Sequence, residues 1–267
     1  MIKLFRNIRQ KLLQEGPPAA RLNDEVGQGR AGKTASYLKY AIGEIVLVVL
    51  GILIALQVNN WNDKREDSKL AEKYIKALYT DLLKDTTNIN IRNREFEAHI
   101  KVTESYSKRI KQSNSPIDTI LKIARYEYVG YFNPVNYFNN NTYTTLINTG
   151  DLTILDSWLQ NDLTALNANQ ELNKQLIDVN ISIYREFWAK VPPGKTNDFI
   201  TDGIKDIFWK KNNTLMAEEI TREMSYRIIL FKNIIAMRKD VLKMTNSLIK
   251  KLQTNYSFIK PNDDQTL

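Results

Sequence analysis

Apolar positions along this chain form one unbroken block and then a series of spaced stripes. Ile45 to Leu56 are apolar without interruption. Tyr40 to Gly43 and Val58 extend the block to about 19–20 residues, the length a helix needs to cross about 30 Å of hydrocarbon. Only Glu44 and Gln57 interrupt it. Tyr37 and Tyr40 at one end and Trp61 at the other occupy the places of interfacial aromatic belts. The block ends in Ala55-Leu56-Gln57-Val58-Asn59, without a small-residue cleavage pattern, and about forty residues precede it. It predicts an uncleaved membrane anchor.

Beyond Trp61 the apolar residues recur at helical spacing. Leu70, Tyr74, Leu78, Leu82 and Ile89 predict that the anchor helix continues to about Gln112, unless a break falls in the Asn88–Asn93 region. Ser115-Pro116 opens a short helix to Tyr126. Asn141 or Thr142 can cap another, ended by Gly150. Asp156 can cap a longer one running through Trp158, Leu159, Leu163, Leu166, Leu172, Leu176 and Ile177 to Trp188, stopped by Pro192-Pro193-Gly194. The last stripe, Ile220 to Leu252, predicts a helix from about Leu215 to Tyr256. No convincing strand alternation appears. The expected fold is all-α: an N-terminal amphipathic helix, one transmembrane helix continuing into a long helix, and an antiparallel helical bundle. The expected divisions are a basic tail and linker at 1–36, the anchor at 37–61, a helical domain at 62–257 and a flexible tail at 258–267.

Charge sets the expected orientation. Of the net +8, residues 1–40 carry +5. Lys and Arg concentrate on the cytoplasmic side of an anchor, so the tail is expected inside and the helical domain outside. The body is nearly neutral, which argues against a nucleic-acid-binding face. Within the tail, Ile2, Phe5, Ile8 and Leu12 share a helical face, as in a basic amphipathic helix on an anionic membrane surface. The same basic residues also serve as a plain topology signal. There is no Cys, which removes disulfides, thiolate metal sites and thiol nucleophiles together.

MIKLFRNIRQKLL followed by YLKYAIGEIVLVVLGILIALQVNNWND resembles the opening of a family of single-pass envelope proteins of gram-negative bacteria, a domain of unknown function. TYTTLINTGDLTIL resembles that family's helix–Gly–helix element. The resemblance is close over the first sixty or so residues, apart from a longer loop between Glu15 and Thr34, and loose beyond them. It implies an inner-membrane anchor and a periplasmic helical domain, and no reaction.

The search for chemistry yields little. Gly27 to Thr34 matches the G-x-x-x-x-G-K-[ST] phosphate-loop pattern, but no apolar strand precedes it and the anchor follows, so nucleotide binding is not expected. The single His99 is expected on an exposed helix face, and Asp81/Asp85 and Glu218/Glu219 on solvated ones. No catalytic, cofactor or metal residues are assigned, and no enzyme activity is expected. Two groups are singled out. Gly43, Glu44, Gly51 and Ala55 could pack the anchor against another helix. The aromatic run Tyr126, Tyr128, Tyr131, Phe132, Tyr137, Phe138 and Tyr143, with Trp188, is either a cap over the bundle or a partner or ligand surface. The expected partners are the lipid bilayer and a protein, another or the chain itself. The role that fits best is an interaction module of an envelope complex. A ligand-sensing module acting through a partner, or a carboxylate hydrolase without a motif to support it, are the alternatives.

Overall fold

The computed structural model describes residues 30–132, 138–192, 194, 207, 209 and 212–259, with side chains from 41 onward. All regular structure among them is helical: α1 (Arg30–Lys111), α2 (Pro116–Tyr126), α3 (Asn141–Thr149), a 3-10 turn (Asp151–Ile154), α4 (Ser157–Trp188) and α5 (Asn213–Asn255). The expected all-α, antiparallel architecture is what the chain adopts. α1 is continuous through Asn88–Asn93. The expected amphipathic helix at the N-terminus, Tyr137 and residues 27–29 of the phosphate-loop pattern lie outside the described residues, while Arg30 to Thr34 already belong to α1.

Two compact units divide the chain, 1–63 and 64–267. In the first, α1 is long and apolar enough to cross a membrane, and none of its most apolar stretch is buried. Ile45, Leu50, Leu53 and Leu56 are all more than half exposed, and Trp61 is 65% exposed. Soluble monomers rarely expose a contiguous apolar surface of this size, and by length and composition this helix could be a membrane anchor.

The second unit is a bundle. α5 runs antiparallel to α1: Gln253 donates to Tyr79 Oη at 2.9 Å, the Phe231 ring lies tilted against Phe96 with centroids 4.7 Å apart, and Lys232 pairs with Glu104 at 3.0 Å. It also runs antiparallel to α4, with Lys251 on Asp162 at 2.6 Å and Tyr226 Oη donating to Asn180 at 3.3 Å. The inward positions recur at steps of three and four. On α1 they are Ile75, Leu78, Leu82, Asp85, Ile89, Asn93, Phe96, Ile100 and Thr103, and on α4 Leu159, Leu163, Leu166, Gln170, Asn173, Ile177, Ile181 and Tyr184. This 3-4 alternation keeps one seam facing a neighbour along long helices. Leu172 and Leu176 fall out of that phase and are 53% and 44% exposed.

Local chemistry sets the ends. Pro116 stands in the first turn of α2, where its missing N–H costs no helical bond. Gly150 closes α3 at φ 78°, the left-handed conformation glycine adopts without a Cβ penalty. Asn212 caps α5, its side chain accepting from the amides of Thr214 and Leu215 at 2.9 and 3.2 Å. The cap of α3 comes from α1: Asp81 accepts from the Thr142 hydroxyl at 2.6 Å and its amide at 3.4 Å. At the chain's other end Tyr256 donates to Asp156 at 2.6 Å, and Phe258 and Ile259 pack on the core although they begin the expected tail.

Candidate functional site

Glu223 is fully buried on α5, one helical turn before Arg227, which is 1% exposed. Both sit in phase with the apolar stripe of α5, flanked by Ile220, Met224, Leu230 and Phe231. The loop after α2 and the inner face of α4 bring phenols to the carboxylate. Tyr128 Oη donates to Glu223 at 2.6–2.7 Å, and Tyr184 Oη lies in hydrogen-bond contact with the same carboxylate and 2.8 Å from the Gly130 carbonyl. Arg227 donates to the Val129 carbonyl at 2.5 Å, and its Nη2 is 3.3 Å from His99 Nδ1. Its guanidinium is 5.1–5.7 Å from the ring centroids of Phe231, Tyr128 and Phe132. This placement over ring faces suits a cation withdrawn from water. Its Nε is buried and makes no hydrogen bond among the described residues.

Burial raises the Glu223 carboxyl above its ordinary range, and the two tyrosine contacts and Arg227 oppose this only in part. Donor counting points the same way. With Glu223 ionised, the single Tyr184 hydrogen must serve both the carboxylate and Gly130. With Glu223 protonated, Tyr128 donates to one carboxyl oxygen, the Glu223 O–H donates to Tyr184, and Tyr184 donates to Gly130, so every contact has its own hydrogen. Burial, then the Arg227 charge, lowers the His99 pKa. Burial raises that of Tyr128.

A second polar group lies between α1, α3 and α4. Asp85, 2% exposed, accepts from the amide and side chain of Asn139 at 2.8 and 2.7 Å and from Gln170 at 3.3 Å. A cavity of about 20 Å³ beside it, lined by Leu78, Asp81, Asn139, Tyr143 and Gln170, has room for a water molecule. Burial raises the Asp85 carboxyl too, against the lowering effect of Asn139.

These placements revise two expectations. His99 is half-buried against Arg227 and Phe231 rather than on an exposed face. Asp85 is buried and Asp81 engaged with α3, because the loop before α3 brings amide donors onto this side of α1. Glu218 does sit on a solvated face, paired with Arg222 at 2.7 Å. The aromatic run is dispersed. Tyr128, Phe132 and Trp188 enter the bundle near Glu223, and Phe138 and Tyr143 pack on the cluster around Leu82 and Leu163. Tyr126 and Tyr131 stay 60% and 69% exposed. In the apolar stretch of α1, Gly43 and Gly51 have open space around them, and Glu44 is exposed with no hydrogen bond or ion pair among the described residues.

Sequence reasoning passed over Glu223 and Arg227. The available signal was their phase: both fall where the stripe of α5 calls for apolar side chains. No group of three or more acidic or histidine side chains suited to a metal occurs among the described residues. Glu223 and Asp85 find their hydrogen-bond partners inside the bundle, while Asn93 Oδ1, Asn173 Oδ1 and Arg227 Nε are buried without one among the described residues. No protein-family description, curated protein or solved structure matches this chain.

Proposed function

We propose that this chain is a single-pass envelope protein whose anchor holds a helical interaction module at a bacterial inner membrane, with its basic tail in the cytoplasm and its bundle in the periplasm. The observation that carries the reading is one helix, α1, with an apolar stretch from Ala41 toward Trp61 of which nothing is buried and a packed seam from Ile75 onward. The exposed stretch matches the hydrocarbon thickness and the seam matches a bundle partner. The charge of residues 1–40 supports the orientation. The carboxylates of Glu223 and Asp85 are held by hydrogen bonds inside the bundle, which favours a surface-based role over catalysis.

Purification of the tagged full chain from its native membrane in mild detergent, followed by mass spectrometry, tests the role. A stoichiometric companion, whether another protein or a further copy, is expected. Recovery of the monomer alone, from membranes in which the chain is abundant, would overturn the interaction reading.

A further inference from the structure

We propose that the segment 128–132, between α2 and α3, is a proton-operated latch. It is fastened to α4 and α5 while Glu223 carries a proton, and it is released when Glu223 ionises.

Three side chains hold the segment. Tyr128 Oη donates to Glu223 at 2.6–2.7 Å, Arg227 Nη1 donates to the Val129 carbonyl at 2.5 Å, and Tyr184 Oη donates to the Gly130 carbonyl at 2.8 Å. The Tyr128 amide still bonds to the Ile123 carbonyl at 2.8 Å, but among the described residues no main-chain hydrogen bond holds 129–132. Side chains of the neighbouring helices therefore do what secondary structure does elsewhere in the bundle. All three converge on one carboxyl group. Glu223 accepts from Tyr128, contacts Tyr184, and stands one helical turn before Arg227.

With Glu223 protonated, each of these contacts has its own hydrogen. Loss of the proton removes one donor and leaves a charge in the interior. A buried carboxylate draws charge-assisted hydrogen bonds from the donors within reach. The first is the Tyr184 hydroxyl, already in contact with it. The second is the Arg227 guanidinium, four residues on, in the order that favours a glutamate–arginine pair on a helix. These are the two donors that hold the carbonyls of Val129 and Gly130. A carbonyl left in the interior without a donor gains by turning to water, so release begins at Val129 while Tyr128 keeps its bond to the carboxylate.

The other titratable and charged groups around Glu223 do not replace it in this role. α1 brings His99, 3.3 Å from Arg227 Nη2 and influenced by Glu95, and Tyr106, which lies edge-on to Tyr128. Glu127 is paired with Arg109, and at the end of α2 Arg125 lies over the Tyr126 ring at 5.2 Å. None of them touches both Tyr184 and the segment. Burial raises the Glu223 carboxyl above the ordinary range, which sets its ionisation apart from that of exposed carboxylates.

Trp188 reports on the latch, because its ring lies where a Cβ on Gly130 would stand. The test follows acrylamide quenching of tryptophan emission from pH 5 to pH 9 in the full chain in mild detergent. It is run on the unmodified chain and on Trp61→Phe/Trp158→Phe/Trp209→Phe, which leaves Trp188 alone. A single step is expected, with quenching at least twofold stronger on the alkaline side and helicity unchanged by circular dichroism. Glu223→Gln should abolish the step and keep the ring protected throughout. His99→Gln should leave the step in place. Tyr184→Phe, which frees the Gly130 carbonyl at every pH, should raise quenching already at pH 5. It decides the matter if Glu223→Gln does not fold. Constant quenching in the unmodified chain would overturn the proposal, as would a step that survives Glu223→Gln or vanishes in His99→Gln. Quenching in Tyr184→Phe as weak as in the parent at pH 5 would also overturn it, and so would a step accompanied by loss of helicity.

Discussion

Tyr184 Oη joins two buried groups, donating its hydrogen to the Gly130 carbonyl and accepting that of protonated Glu223. Its replacement by Phe leaves the Gly130 carbonyl and a carboxyl oxygen short of partners, and Tyr184→Phe is expected to destabilise by about 1–3 kcal/mol in thermal unfolding of the full chain. Glu223→Gln has a different outcome, because the amide offers both a donor for Tyr184 and an acceptor for Tyr128. The sign follows from the titration. The Glu223 pKa is raised above 4.5 in the fold, so its contribution to stability is complete below 4.5 and is lost as pH rises through the folded value. Gln does not titrate, so Glu223→Gln should lose less stability than the parent between pH 5 and 8. A parallel loss in both would refute the protonated arrangement. His99 acts in the opposite sense. Its pKa is lowered below 6.5, so its contribution is present above 6.5 and disappears as pH falls through the folded value. His99→Gln should accordingly flatten the acid side of the stability profile. None of these roles was legible residue by residue. A glutamate or histidine in a charged helix reads the same whether the loop that supplies its partners arrives or not, and Val129 and Gly130, whose carbonyls complete the network, carry no side-chain signal.

Among the elements, helices and their ends were the most readable part of the chain. Pro116 and Gly150 mark boundaries through backbone chemistry that acts within a few residues, whereas α4 begins after Asp156 without a capping bond from that side chain, which accepts from Tyr256 instead. The faces of the helices were less readable. α4 has apolar residues on two sides, so Leu172 and Leu176 look equivalent to Leu163 and Leu166 until α5 chooses a side. The segment between α2 and α3 was least readable, since its aromatics are sorted by distant contacts. Gly130 shows how tight that sorting is. A Cβ there would lie 1.5 Å from Cζ3 of Trp188, with two more ring atoms at 2.3 Å. Gly130→Ala must displace the indole or the loop and should cost about 1–3 kcal/mol or more by overpacking. The change should be visible as a lower melting temperature together with an altered tryptophan emission. An unchanged melt would mean that the loop yields freely.

For the whole molecule, the long apolar stretch of α1 was legible because length and apolarity alone define it, without any partner. Its orientation rests on charge and can be measured with the same cysteine-free background. Ser247→Cys, on the exposed side of α5, should react with a membrane-impermeant maleimide in spheroplasts, and Asn7→Cys only after lysis. The reverse pattern would place the bundle in the cytoplasm. The arrangement of the bundle was legible as a class, and the pairing of α5 with both α1 and α4 was not, because any long amphipathic helix could have taken the central place.

Trp188 packs against the cluster around Phe96 and Ile234 and also against the cluster around Ile123 and Ile220. One side chain is thus common to two regions of the interior, and neither can loosen without exposing a wall of the other. The middle of the bundle and the end carrying α2 should therefore melt as a single cooperative block. The region around Leu82 and Leu163 does not share that ring, and it is free to open on its own timescale. Hydrogen exchange would register this as one slow set of amides spanning α2 and the first half of α5, and a separately timed set near α3.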